Sequence, residues 1–222
     1  MESDEQLRSF LLASTGTMAV PFANKLYAEK LVKPYWDLKP SERKQFKDLV
    51  NKIEKSGVEF LPNSKLGPAF DPFSNKIFLP EKTTAPGVLA HEWGHALNSA
   101  TLKKLGGKPL HHTWSALYGL AHPLNVLSTT AALTAVGSGA SEDTLRNIGL
   151  AGTAAQTPRL IEELVASARG AAKLKQLNMP GKLKAFIGIP TYIAPMTMPM
   201  MPWLAKKLDP TLQKLFNTKE GE

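Results

Sequence analysis

The 222-residue chain has no cysteine. A disulfide framework and a cysteine-ligated metal site are both excluded, while the redox compartment stays open. Charge is also missing over long intervals: none falls between Arg8 and Lys25, between Lys108 and Glu142, or between Lys184 and Lys206. No signal peptide is expected, because Met1-Glu2-Ser3-Asp4-Glu5 is acidic and does not look like the basic start of one. The net charge is +8. It favours anionic partners, but no RNA- or DNA-binding motif accompanies it. Specific nucleic-acid binding is therefore not expected, and lipid headgroups rank above nucleic acid. A solvated lysine surface is the plain alternative.

What is present is Val88-Leu89-Ala90-His91-Glu92-Trp93-Gly94-His95-Ala96-Leu97. On a helix His91 and His95, four residues apart, project from one face. Two imidazoles at that spacing can hold one zinc ion, and Glu92 beside His91 can reach a water there. In such sites the metal supplies Lewis acidity, and the carboxylate takes a proton from water as it attacks a carbonyl carbon. Local signals support a helix. Thr84 can cap its start, Pro86 suits its first turn, and Gly106-Gly107 can end it. Gly94 costs the helix roughly 1 kcal/mol against alanine, which points to close approach of another backbone. The bland alternative is a buried helix whose histidines merely find hydrogen bonds.

Around this helix the chain divides into residues 1–40, an apolar helical segment; residues 41–178, carrying the motif and an apolar insertion around 112–140; and residues 179–222, a proline- and methionine-rich apolar segment. The first segment reads as a helix from Leu7 to Val32, interrupted near Gly16 and Pro21, followed by a loop at Pro34, Trp36 and Pro40. Ser41 is expected to cap a helix from Glu42 to Lys55 whose core face is Phe46, Leu49, Val50 and Ile53, with Gly57 after its end. Val58 to Leu61 is a strand candidate. Ala69-Phe70 and Lys76-Ile77-Phe78-Leu79 flank the turn-forming Asp71-Pro72-Phe73-Ser74-Asn75, so a small β-hairpin is expected just before the motif helix. Its edge could receive an extended peptide, or it could simply cover the helix. The fold class is thus α+β, mainly helical.

The uncharged interval after Lys108 is long enough to span a membrane, yet His111, His112, His122, Asn125 and several threonines lower its hydropathy. Membrane contact and an internal helical pair are both allowed, and contact is favoured. Ser141-Glu142-Asp143 opens a further helix, made slim by Gly149 and Gly152, that Pro158 is expected to restart. There Leu160, Glu163, Leu164 and Ser167 share a stripe. A carboxylate on an apolar face is costly unless paired or metal-bound, so Glu163 is the third ligand candidate. Glu162 points about a hundred degrees away and is expected in solvent, or is the ligand if the helix phase differs. The run Ala185 to Ala205 holds Pro190, Pro195, Pro199 and Pro202. A straight helix cannot tolerate these, and an interfacial segment, a broken hairpin in lipid or a strap over the core remain. Thr211 to Glu222 reads as a short fraying helix.

His91-Glu92-x-x-His95 followed by Glu163-x-x-Ala166-Ser167 resembles the two-helix signature of the gluzincin metallopeptidases, His-Glu-x-x-His and Glu-x-x-Ala-Asp. The nearest likeness is to the membrane peptidases of the CAAX prenyl protease and HtpX type; a second is to the soluble IrrE/ImmA-type peptidases. The resemblance covers Ala69 to about Ala172. It implies zincin-like helices, a Zn²⁺ cofactor on His91, His95 and Glu163, Glu92 as general base and acid, and a peptide or protein substrate. Ser167 departs from the family, standing where an aspartate usually orients the first histidine. The metzincin extension is absent, with Asn98 and Thr101 in its places. His111, His112 and His122 are alternative ligands, and Arg169, Tyr118 and His122 are candidate oxyanion stabilisers. The expectation is a membrane-associated zinc metallopeptidase. The alternatives are a non-enzymatic membrane-interacting or structural assembly protein that keeps the zinc site, and a soluble regulator-cleaving peptidase.

Overall fold

The computed structural model describes residues 2–32, 34, 37–62, 68–79 and 84–217. Trp36 and residues 218–222 lie outside them. The chain is mainly helical with one small sheet. Its order is α1 (Glu2–Tyr27), α2 (Arg43–Lys55), β1 (Glu59–Pro62), β2 (Ala69–Asp71), β3 (Lys76–Leu79), α3 (Pro86–Gly137), α4 (Glu142–Gln176), α5 (Pro190–Thr197) and α6 (Met201–Asn217). Two compact units result. One, bearing the sheet, comprises Leu26–Tyr118 and Pro158–Pro190; the other, with helices and no strand among its described residues, comprises Met1–Lys25, Gly119–Thr157 and Thr191–Glu222.

In the sheet-bearing unit the expected hairpin forms. Asp71 shapes its turn by accepting the Phe73 amide at 2.9 Å and the Ser74 hydroxyl at 2.5 Å, and Asn75 takes φ +58°. Such short polar side chains satisfy and tolerate turn geometry. The strand candidate before it pairs in parallel with β3, giving the order β1-β3-β2. The register sets Phe60, Ile77 and Phe70 in one row. That row meets Leu49 and Ile53 of α2 and Leu89 and Trp93 of α3 in the core. Helix α2 buries the face expected of it, but Ser41 does not cap it. A single 3₁₀ turn, Pro40–Glu42, leads in instead, with Glu42 at the cap position.

The motif helix starts where Pro86 permits, without a side-chain cap from Thr84. That hydroxyl is buried with no partner among the described residues, and the Thr84 backbone bridges to Asp37. The chain leaves helical geometry at Gly106 and Gly107, the latter at φ +66°, and resumes it at once. Positive φ is accessible to glycine because it has no Cβ. α3 is thus two helical segments, and Ser99 and His111 are joined across the break by a 2.8 Å hydrogen bond. Gly94 explains itself in packing. A Cβ there would strike the Ala166 carbonyl of α4, and a Cβ on Gly170 would strike the Ala90 carbonyl of α3. The two helices lie backbone to backbone at the motif.

In the helical unit several prolines sit within helices rather than ending them. α1 continues through Gly16 and Pro21, and α4 through Pro158, a residue of the sheet-bearing unit, so neither expected interruption occurs. Gly16 instead gives room to Met201. Ser141 opens α4 by accepting the Thr144 amide at 3.2 Å. The proline-rich run forms short helices. A proline lacks the amide that would bond the carbonyl four residues back. Pro195 thereby frees the Thr191 carbonyl and Pro199 the Pro195 carbonyl; Asn24 donates to the first at 3.1 Å and Asn125 to the second at 3.0 Å. Gly149 and Gly152 make room for Pro199 and Met200. No helix among the described residues is long and apolar enough to cross a membrane.

Candidate metal centre

Three helical segments of the sheet-bearing unit supply the site. The motif segment of α3 brings His91, Glu92, His95 and Asn98. The segment after the glycine break brings Trp114 and Tyr118, and α4 brings Glu162, Glu163 and Ser167. His91 Nε2 and His95 Nε2 are 3.2 Å apart, and Glu163 Oε2 lies 3.1 Å from the first and 3.5 Å from the second. Among the described residues these three form the one group able to hold a metal ion.

The far side of each ring fixes its tautomer. Ser167 donates its hydroxyl to the Ala185 carbonyl at 2.8 Å, so toward His91 Nδ1, at 2.9 Å, it accepts. His91 therefore carries a proton on Nδ1, and Nε2 is the ring nitrogen turned toward His95 and Glu163. His95 Nδ1 donates to Glu162 Oε1 at 3.0 Å. Glu163 is held from outside as well, by the Tyr118 hydroxyl on Oε1 at 3.0 Å.

Electrostatics follow from this packing. Burial alone would raise the Glu163 pKa, but hydrogen bonds and charge from His91 and His95 hold it well below the usual carboxylate range. Glu162 is likewise lowered against its burial, by His95, Trp114 and Asn98. Burial depresses His95, yet Glu162 and Glu163 outweigh it and push its pKa up to about 10. Tyr118 is raised by burial and by the Glu163 charge, so it stays a neutral donor. Glu92 is 7% exposed and accepts no hydrogen bond from a described residue. Its charge acts on both His95 and Tyr118.

Other expected participants lie elsewhere. Glu162 is not in solvent but 8% exposed, with Oε1 on His95 and Oε2 taking Trp114 Nε1 at 2.6 Å and the Asn98 amide. The stripe that guided the sequence reading is also not uniformly buried, since Leu164 is 41% exposed. Between Pro158 and Gly170 of α4 the buried residues are Glu162, Glu163, Ala166, Ser167 and Gly170. His111 faces Ser99 and Phe73, and burial with the charges of Lys103 and His112 lowers its pKa. His112 and His122 are exposed. Arg169 donates to the Leu97 carbonyl and to Thr101, stitching α4 to α3. Trp114 and Asn98 went unread as site residues. Spacing does not mark Trp114, because the glycine break sets its direction, whereas Asn98 follows His95 on the motif segment and shares the face of both histidines.

No family model, curated protein or solved structure matches the chain.

Proposed function

We propose that the chain is a zinc-dependent metallopeptidase of gluzincin type. The observation that carries this reading is the convergence of His91 Nε2, His95 Nε2 and Glu163 Oε2 at separations of 3.1, 3.2 and 3.5 Å. Zinc bonds of about 2.0–2.2 Å in tetrahedral array place neighbouring donors roughly 3.3 Å apart. Two imidazoles and one carboxylate are a donor set that zinc accepts while keeping a position open. Bound there, zinc supplies Lewis acidity to a peptide carbonyl and acidifies water.

The rest is done by the chain's own groups. Glu92 is buried beside His91 and accepts from no donor among the described residues, so its carboxylate is available to take a proton from water and pass it to the departing amine. Hydroxyl goes to the carbonyl carbon and the proton to nitrogen, which balances the hydrolysis. Ser167 and Glu162 keep both histidines in the ligating tautomer. A peptide substrate is supported by the outer positions of β1 and β2, whose edges can pair with an extended chain. Membrane association belongs to the same proposal. Its support is the uncharged stretch of α1, which exposes Leu11, Met18 and Phe22.

A second reading keeps the metal without the chemistry: zinc as a stitch between α3 and α4 in a structural assembly protein. The burial of Glu163, only 1% exposed, favours it. Two measurements decide. Wild-type protein is expected to hold about one zinc per chain and Glu163→Ala none. Cleavage of unfolded casein is expected from the wild type and lost in Glu92→Gln with zinc retained. Zinc-free wild type after reconstitution overturns both readings, and zinc without cleavage leaves the stitch.

A further inference from the structure

Three donors converge on Glu162: His95 Nδ1, Trp114 Nε1 and Asn98 Nδ2. A tryptophan nitrogen can only donate, and only an ionised carboxylate accepts at both ends. Its two oxygens divide the work. Oε1 serves the histidine, and Oε2 takes Trp114 from the segment after the glycine break and Asn98 from the motif segment. The carboxylate lies across the His95 ring from the ligand group, which rules it out as a ligand while placing it behind one.

We infer that Glu162 is the positioning residue of His95, holding the ring with Nε2 turned into the ligand group and supplying negative charge that Ser167 does not supply to His91. The inference rests on the zinc reading of the site and names a residue through which that site is controlled. Carboxylate behind a ligating imidazole fixes its orientation and raises its basicity. In this chain that support falls on the second histidine of the motif. The first has only a neutral hydroxyl.

An amide in place of the carboxylate has two poor choices. With its NH₂ toward Trp114 and Asn98 it meets donors. With its NH₂ toward His95 it forces Nδ1 to accept, which moves the proton to Nε2 and removes the ligand. Replacing Trp114 as well lifts the first conflict: Asn98 can turn its carbonyl to the amide, and the amide carbonyl can still face His95. Glu162→Gln with Trp114→Phe therefore keeps orientation and loses only charge.

The test is zinc affinity, measured by competition with a chromophoric chelator on the full chain, with ¹H–¹⁵N spectra of the His95 ring in the zinc-loaded proteins. Glu162→Gln is expected to bind zinc about 10–100-fold more weakly and to lose the His95 Nδ1–H signature. The double variant is expected to regain that signature and part of the affinity, staying below wild type. Wild-type affinity and signature in Glu162→Gln would overturn the inference while leaving the zinc site standing. A wild type that takes no zinc would overturn the zinc reading, and this inference with it.

Discussion

Ser167 accepts from His91 because its own proton is committed to Ala185. The residue is fully buried, so neither bond can pass to solvent. On the proposed gluzincin reading, this accounts for serine where that family usually carries aspartate. A carboxylate has no proton for the Ala185 carbonyl and would face it as a second acceptor. Ser167→Ala is expected to cost about 1–3 kcal/mol by stranding that carbonyl, and to weaken zinc binding about tenfold or more by freeing His91. Ser167→Asp is expected to be less stable still and to gain no affinity. Thermal melts beside zinc titrations would check both, and a tighter-binding Ser167→Asp would refute the account.

Gly94 and Gly170 make opposite demands from their neighbours. Each admits the other helix's carbonyl where a Cβ would lie. Gly94→Ala and Gly170→Ala must separate α3 from α4, and with them His91 from Glu163. Each is expected to destabilise by at least about 3 kcal/mol, beyond ordinary overpacking, because backbone rather than a side chain must move. Gly119 is the control: a Cβ there meets nothing within 4 Å. Gly119→Ala is expected to stabilise by up to about 1 kcal/mol through helix propensity. Urea denaturation of the three variants would test the opposite signs.

The motif, its helix and the hairpin were legible because each rests on local rules: spacing on one helix face, glycine at a break, Asp and Asn in a turn. Glu163 was legible as an unlikely carboxylate. Glu162 was misread because Leu160 and Leu164 were taken to mark the buried face of α4. Apolar residues mark the inside only where the inside is apolar; here two carboxylates and a hydroxyl point inward and Leu164 is exposed. The proline-rich run misled for a related reason. Its helices survive because Asn24 and Asn125, more than 60 residues away in sequence, satisfy carbonyls that the prolines abandon.

Asn125 gives that last point a number. It is 2% exposed and donates to the Pro195 carbonyl. Asn125→Leu keeps the volume and removes the donor, leaving a carbonyl whose helical partner is a proline. The expected loss is about 1–3 kcal/mol, the cost of a buried acceptor without a partner. Asn125→Leu combined with Pro199→Ala should recover part of it, since an amide returns four residues beyond Pro195. A double-mutant cycle by chemical denaturation would show positive coupling. Strict additivity would mean that the two groups do not share the carbonyl.

The proton on His95 and the proposed metal compete for one place. With its pKa pushed up to about 10, the ring is protonated at neutral pH in metal-free protein and shares Nε2–H with His91 and Glu163. Because that value lies above the ordinary 6.5, the stabilisation of the metal-free fold is full below about pH 6.5 and is lost as pH rises through 10. Metal binding runs the other way. A ligating imidazole must give up its proton, so zinc affinity is expected to rise about tenfold per pH unit between pH 7 and 8.5. Calorimetry in two buffers of different ionisation enthalpy should count about one proton released per zinc, falling in Glu162→Gln, where His95 loses the charge that raises its pKa. Zinc uptake without proton release would mean that His95 is neutral before the metal arrives.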